Sequence, residues 1–194
     1  PRRKGITTYF ITGDDHEGWY GQRNGIDIGA YIEAKMREAG RDDFRYMAFL
    51  EADVRLVNKK TGRFAVLRVM HPGGGSSYAL SYRPQKIVES IEGGEKPAVI
   101  LMGHYHKQLM LNYRNVWIIM VPSTKDQDVF LRKKAIESHI GGLIVTLDQD
   151  PRTGAIVGCN DQFRYFDRGY YDKAKPRFSY GEGVGQSDKT LGGV

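Results

Sequence analysis

Three observations in the sequence predict a mixed α/β fold. Apolar runs rich in β-branched and aromatic residues recur along the chain and read as strands, the clearest being Val99-Ile100-Leu101-Met102 behind Pro97. Between them, apolar residues recur at helical spacing, as in Ile28, Ile32, Met36 and Ala39. Three of the strand runs stop at a glycine or a histidine, so the strands deliver polar side chains at their carboxyl ends.

In chain order, Ile6 to Ile11 reads as the first strand and ends in Thr12-Gly13-Asp14-Asp15-His16-Glu17. Residues 26–39 form a packing helix that stops at Gly40, with Met36 in the core. Phe44 to Val57 supplies one or two strands, and Lys59 to Arg63 turns the chain into a strong strand over Phe64 to Met70. His71-Pro72-Gly73-Gly74-Gly75 follows, a loop whose backbone could approach a phosphate but whose composition favours a plain connection. Leu80, Ile87, Val88 and Ile91 outline a helix that Pro84 kinks or restarts and Gly93-Gly94 ends. The doubly buried strand 99–102 leads into Gly103-His104-Tyr105-His106. Leu109 to Tyr113 and Val116 to Val121 make a hairpin across Arg114-Asn115, and Leu143 to Leu147 with Ala155 to Gly158 make another. Between the hairpins, the basic stretch Lys125 to Glu137 reads as a solvated loop or short helix in preference to a phosphate-facing patch. Residues 1–158 are assigned to the folded domain and 159–194 to an aromatic and basic tail. That tail is expected to dock on the core rather than stack on bases, and its glycine-rich end to be disordered.

Four of the five histidines stand at the three strand ends; only His139 lies elsewhere. Imidazoles and carboxylates at adjacent strand ends are the donor set of a divalent metal centre. In a regular strand His104 and His106 would face one side, but a turn at Gly103 would let each meet a different ion of a pair about 3.5–4 Å apart.

Composition narrows the class. With 40% hydrophobic and 27% charged residues over 194 positions, the chain is globular in type, and no apolar stretch approaches the ~18 residues of a spanning helix, so no membrane partner is expected. The single cysteine, Cys159, excludes an internal disulfide framework; a reducing, cytoplasmic setting is expected, with Cys159 inert. A net charge of +6 favours polyanionic partners, nucleic acid among them.

Gly13-Asp14-Asp15-His16-Glu17, the lone His71 and Gly103-His104-Tyr105-His106, in that order, resemble the later motifs of the calcineurin-like metallophosphoesterases over residues 6–125. The resemblance implies a layered β-sandwich flanked by helices. It also implies that Asp15, or Asp14 in its place because the motif carries an extra residue, joins His71 and His104 on one ion. His106 would reach the other. His16 would contact the reacting phosphate and Glu17 would orient it. Two divalent ions are implied, Mn²⁺ first, with Fe, Zn and Mg as alternatives, and the activity implied is phosphate-ester hydrolysis, phosphodiesters and nucleic acid foremost. The family's opening Asp-x-His and Gly-Asp-x-x-Asp motifs do not occur in the chain and would precede Pro1. The expectation is therefore the carboxyl-terminal part of a larger enzyme, whose missing amino-terminal part would be its partner and without which it would be inactive. The alternative is a non-catalytic binding or regulatory subunit of a nucleic-acid-processing assembly.

Overall fold

The computed structural model describes residues 5–13, 21, 23–75 and 77–166. Its centre is a five-stranded mixed sheet ordered β3-β4-β5-β7-β6, built from β3 (Glu51–Val57), β4 (Phe64–Met70), β5 (Val99–Met102), β6 (Leu109–Tyr113) and β7 (Val116–Met120). β4, β5 and β7 run parallel, while β3 and β6 close the two edges antiparallel. Parallel strands have both faces covered, and β5 shows why its sequence is continuously apolar. Ile100 and Met102 pack with Val116, Ile118 and Met120 under Ile87 and Val88 of α2 (Tyr82–Ser90) and Ile91 just after it. Val99 and Leu101 face the other way, with Ile119 and Trp117.

That second face is covered by a hairpin of β8 (Gly141–Gln149) and β9 (Ile156–Tyr165), through Leu143, Val145, Leu147, Ile156 and Cys159. The result is a mixed α/β layered structure of helix, sheet and hairpin, as the sequence predicts. β9 continues past position 158, so the first part of the aromatic and basic stretch is hairpin. Residues 167–194, the rest of the tail, lie outside the described residues. Cys159 is buried, and burial raises the pKa of its thiol, in keeping with an unreactive side chain.

The remaining unit is a parallel pair, β1 (Thr8–Thr12) beside β2 (Phe44–Phe49), flanked by α1 (Ile28–Glu38). Asp27 caps α1 by accepting from the backbone N–H groups of Gly29 and Ala30 at 2.9 and 3.2 Å. At its other end Gly40 adopts φ 72°, the left-handed stop. Met36 is half-buried rather than core, and Ile32 is exposed; Gly29, against the Tyr46 ring, is the one fully buried position of the helix. Of the other sequence expectations, Phe44 to Val57 resolves into two strands, and the turn at Arg114-Asn115 places both residues at positive φ (51° and 63°), the mirror-type turn that matches strand twist. Pro84 sits in the first turn of α2, where its missing N–H costs no helical bond. Among the described residues no helix is long and apolar enough to cross a membrane.

Candidate metal centre

The three strand ends meet at a corner that the sequence does not announce. Between β2 and β3, Leu50 takes φ 66°, a conformation that costs an ordinary residue about 1–2 kcal/mol and that tends to occur where geometry is over-determined. The turn lets Leu50 accept from the His71 N–H at 2.8 Å while its own N–H donates to the Thr12 carbonyl at 2.9 Å. One residue thus ties the end of β1 to the end of β4. The Gly103 N–H donates to the Met70 carbonyl at 3.0 Å, which joins the end of β5 to the same place.

The side chains follow the backbone. The His71 ring lies directly on the Gly13 backbone: a β-carbon there would fall 2.7–2.9 Å from three ring atoms, so only glycine admits this approach. On its other side His71 meets His104, with ring centroids 4.7 Å apart and planes at 78°. His104 and His106 themselves adopt positive φ, 77° and 54°, whereas Gly103 does not. The reversal that separates the two imidazoles is therefore made by the histidines, a correction to the role expected of Gly103.

Hydrogen bonds orient the rings. The Gly74 carbonyl is 2.7 Å from His104 Nε2 and can only accept, which puts the proton on Nε2 and the lone pair on Nδ1. His106 Nδ1 pairs with the hydroxyl of the fully buried Ser138 at 3.2 Å. Next to it, His139 N–H donates to the His106 carbonyl at 2.8 Å, and His139 Nδ1 accepts from the Gln108 N–H at 3.0 Å. Residues 138 and 139 thereby hold the loop that carries His106 from below, the outer support that a ligating imidazole needs. Ser138→Ala should loosen His106, the imidazole assigned to the second ion, and leave binding of the first Mn²⁺ unchanged, as read by calorimetric titration.

Burial lowers the pKa of His106, Lys125, His104 and His71 add to the effect, and Asp128 opposes it. A neutral imidazole is the ligand form, so the environment favours binding. The same shift has a stability consequence for the metal-free protein. Because the folded pKa lies below the unfolded value near 6.5, the unfolded chain binds the extra proton first, and stability present above about pH 6.5 is lost as the pH falls through the folded value. Urea denaturation should show a lower midpoint at pH 5 than at pH 7.5, and His106→Gln should shrink that difference.

The structure thus brings His71 and His104 together, with His106 close enough to feel both charges. Asp14, Asp15, His16 and Glu17 lie outside the described residues; Gly13, immediately before them, is packed against His71. Among the described residues no group of three or more His, Cys, Asp or Glu is placed to hold a metal. Two imidazoles at a T-shaped 4.7 Å separation, one with its lone pair fixed on Nδ1, fit part of a divalent site whose ligands stand about 2.0–2.2 Å from the ion. The carboxylates that the sequence reading assigns to it, Asp15 or Asp14, lie outside the described residues. Leu50, Ser138 and His139, which shape this corner, have no role in the sequence reading, and Gly74 acts here through its carbonyl on His104. Only His139, the fifth histidine, carries a visible signal there.

No protein-family profile matches the chain, and no curated protein does. Solved structures that resemble it include the following two. A single-residue variant of Vps29 from Entamoeba histolytica shares 11% identity at a TM-score of 0.38, covering 83% of this chain and 84% of that one. A Thermotoga maritima protein solved by solution NMR shares 13% identity at a TM-score of 0.33, covering 83% of this chain and all of the other.

Proposed function

We propose that the protein is a metal-dependent phosphoesterase, most suited to phosphodiesters. The observation that supports this best is the His71–His104 pair at the junction of three strand ends, with His104 fixed in one tautomer by Gly74. His71 and His104 would share one ion with Asp15 or Asp14, and His106, backed by Ser138, would serve a second. Divalent ions, Mn²⁺ before Fe, Zn or Mg, supply charge neutralisation for a phosphate and a nucleophile at neutral pH. His16 would sit against the phosphate and give a proton to the leaving oxygen, and Glu17 would hold that imidazole in position. A positioned acid of this kind contributes about 10²–10⁴-fold.

The test is a metal analysis beside a bis(p-nitrophenyl) phosphate assay on the full-length protein. His16→Ala should lower turnover by about 10²–10⁴-fold with metal content unchanged. Equal loss of metal in this variant and in His104→Ala would refute the assigned roles. A non-catalytic binding or regulatory subunit of a nucleic-acid-processing assembly is the second reading. It requires that the unsubstituted protein show no metal-dependent turnover.

A further inference from the structure

The stretch from Ser77 to Arg83 runs along the rim of the metal centre and turns large side chains outward. Tyr78 is fully exposed, at 107%, with Tyr82 at 51% and Leu80 at 39%. Single exposed rings are common, but three large apolar side chains within five residues form a patch. This patch is tied to the centre. The Gly74 carbonyl, just before it, accepts from His104 Nε2 at 2.7 Å, and Arg83 Nε donates to the Gly75 carbonyl at 3.4 Å. Ser77, Leu80 and Arg83 share a small cleft with Tyr105 and Lys107, the two residues that flank His106.

The rim also carries Arg83, near enough to act on the Tyr105 phenol, while Lys125 beside His106 is paired with Asp128 at 2.6 Å and Lys107 with Glu137 at 3.2 Å. A small phosphate ester would make no use of this rim. A chain of nucleotides has both parts that the rim suits: a phosphate every few ångströms for Arg83, and unpaired bases for an exposed ring. In a duplex those bases are stacked on one another and withheld.

We propose that the substrate of this centre is single-stranded nucleic acid, with a base stacked on Tyr78 beside Tyr82 and an adjoining phosphate at Arg83. This rests on the phosphoesterase reading for the chemistry: one water is added across one P–O bond, its oxygen going to phosphorus and its hydrogen to the leaving alcohol. Binding does not depend on that step.

Fluorescence anisotropy with labelled oligothymidylate on the full-length protein, with metal chelated, tests the platform. Tyr78→Ala should weaken binding about 5–150-fold, the range of one stacked base, and Tyr78→Phe should restore it. An oligonucleotide lacking bases should bind as weakly to the unsubstituted protein and respond to neither substitution. Equal binding of oligothymidylate by all three proteins overturns the proposal and assigns the patch to a protein partner. Stacking without hydrolysis of any phosphodiester would keep the platform and remove the phosphoesterase reading. Hydrolysis of bis(p-nitrophenyl) phosphate with no preference for bases would do the reverse.

Discussion

His104→Ala should remove metal and activity together, leaving turnover of a phosphodiester at background. The imidazole would do two jobs that an alanine cannot share out: Nδ1 would give its lone pair to the proposed ion, while Nε2–H holds the Gly74 carbonyl at 2.7 Å beside His71. Losing a ligand from a site of three should lower Mn²⁺ affinity by at least an order of magnitude, whereas Ser138→Ala, which touches only the second-ion imidazole His106, should leave it unchanged. The fold should survive. His104 stands after β5 and is absent from the apolar cluster that packs Ile100 and Met102 beneath α2. A far-ultraviolet spectrum like that of the unsubstituted protein, with metal and turnover both gone, is the expected result.

Gly13→Ala should be nearly as damaging, although it alters no ligand. The added methyl would sit 2.7–2.9 Å from the His71 ring, inside the distance that carbon atoms tolerate, and Gly13 is itself buried. Either the ring or the end of β1 must move, at a cost of about 1–3 kcal/mol and with His71 displaced from His104. Gly103→Ala is the matched control. Its β-carbon would meet nothing nearer than 3.8 Å and its φ is not positive, so it should change the thermal midpoint and Mn²⁺ affinity little. Thermal denaturation and calorimetric titration of the pair distinguish a packing requirement at Gly13 from a general intolerance of the strand ends.

Those two glycines show what the sequence could and could not carry. Both stand at the end of a strand run before a ligand motif, and in sequence they look alike. What separates them is the partner across space: His71 packs on Gly13 and leaves Gly103 open, a fact of tertiary contact with no local signature. Strands were legible because β-branched runs and turn residues act locally, as at β5 and at Arg114-Asn115. Leu50 was not, because nothing about leucine advertises positive φ; the corner is imposed by its bonds to the Thr12 carbonyl and from the His71 N–H. Ser138 and His139 act on His106 across about thirty residues of chain, too far for any spacing rule. The apolar stripe of α1 misled for the opposite reason: its spacing is helical, and the helix forms, but its outer positions Tyr31 and Ile32 stay exposed.

Titration of the 194-residue chain with Mn²⁺ addresses the central claim most directly. If Asp14 or Asp15 joins the adjacent His71 and His104 as proposed, one ion should bind, and His106, as the one imidazole assigned to a second ion, should not retain another against water. The account predicts a single site that disappears in both His71→Ala and His104→Ala and persists in His139→Ala. No binding, or binding that both substitutions leave intact, would contradict it.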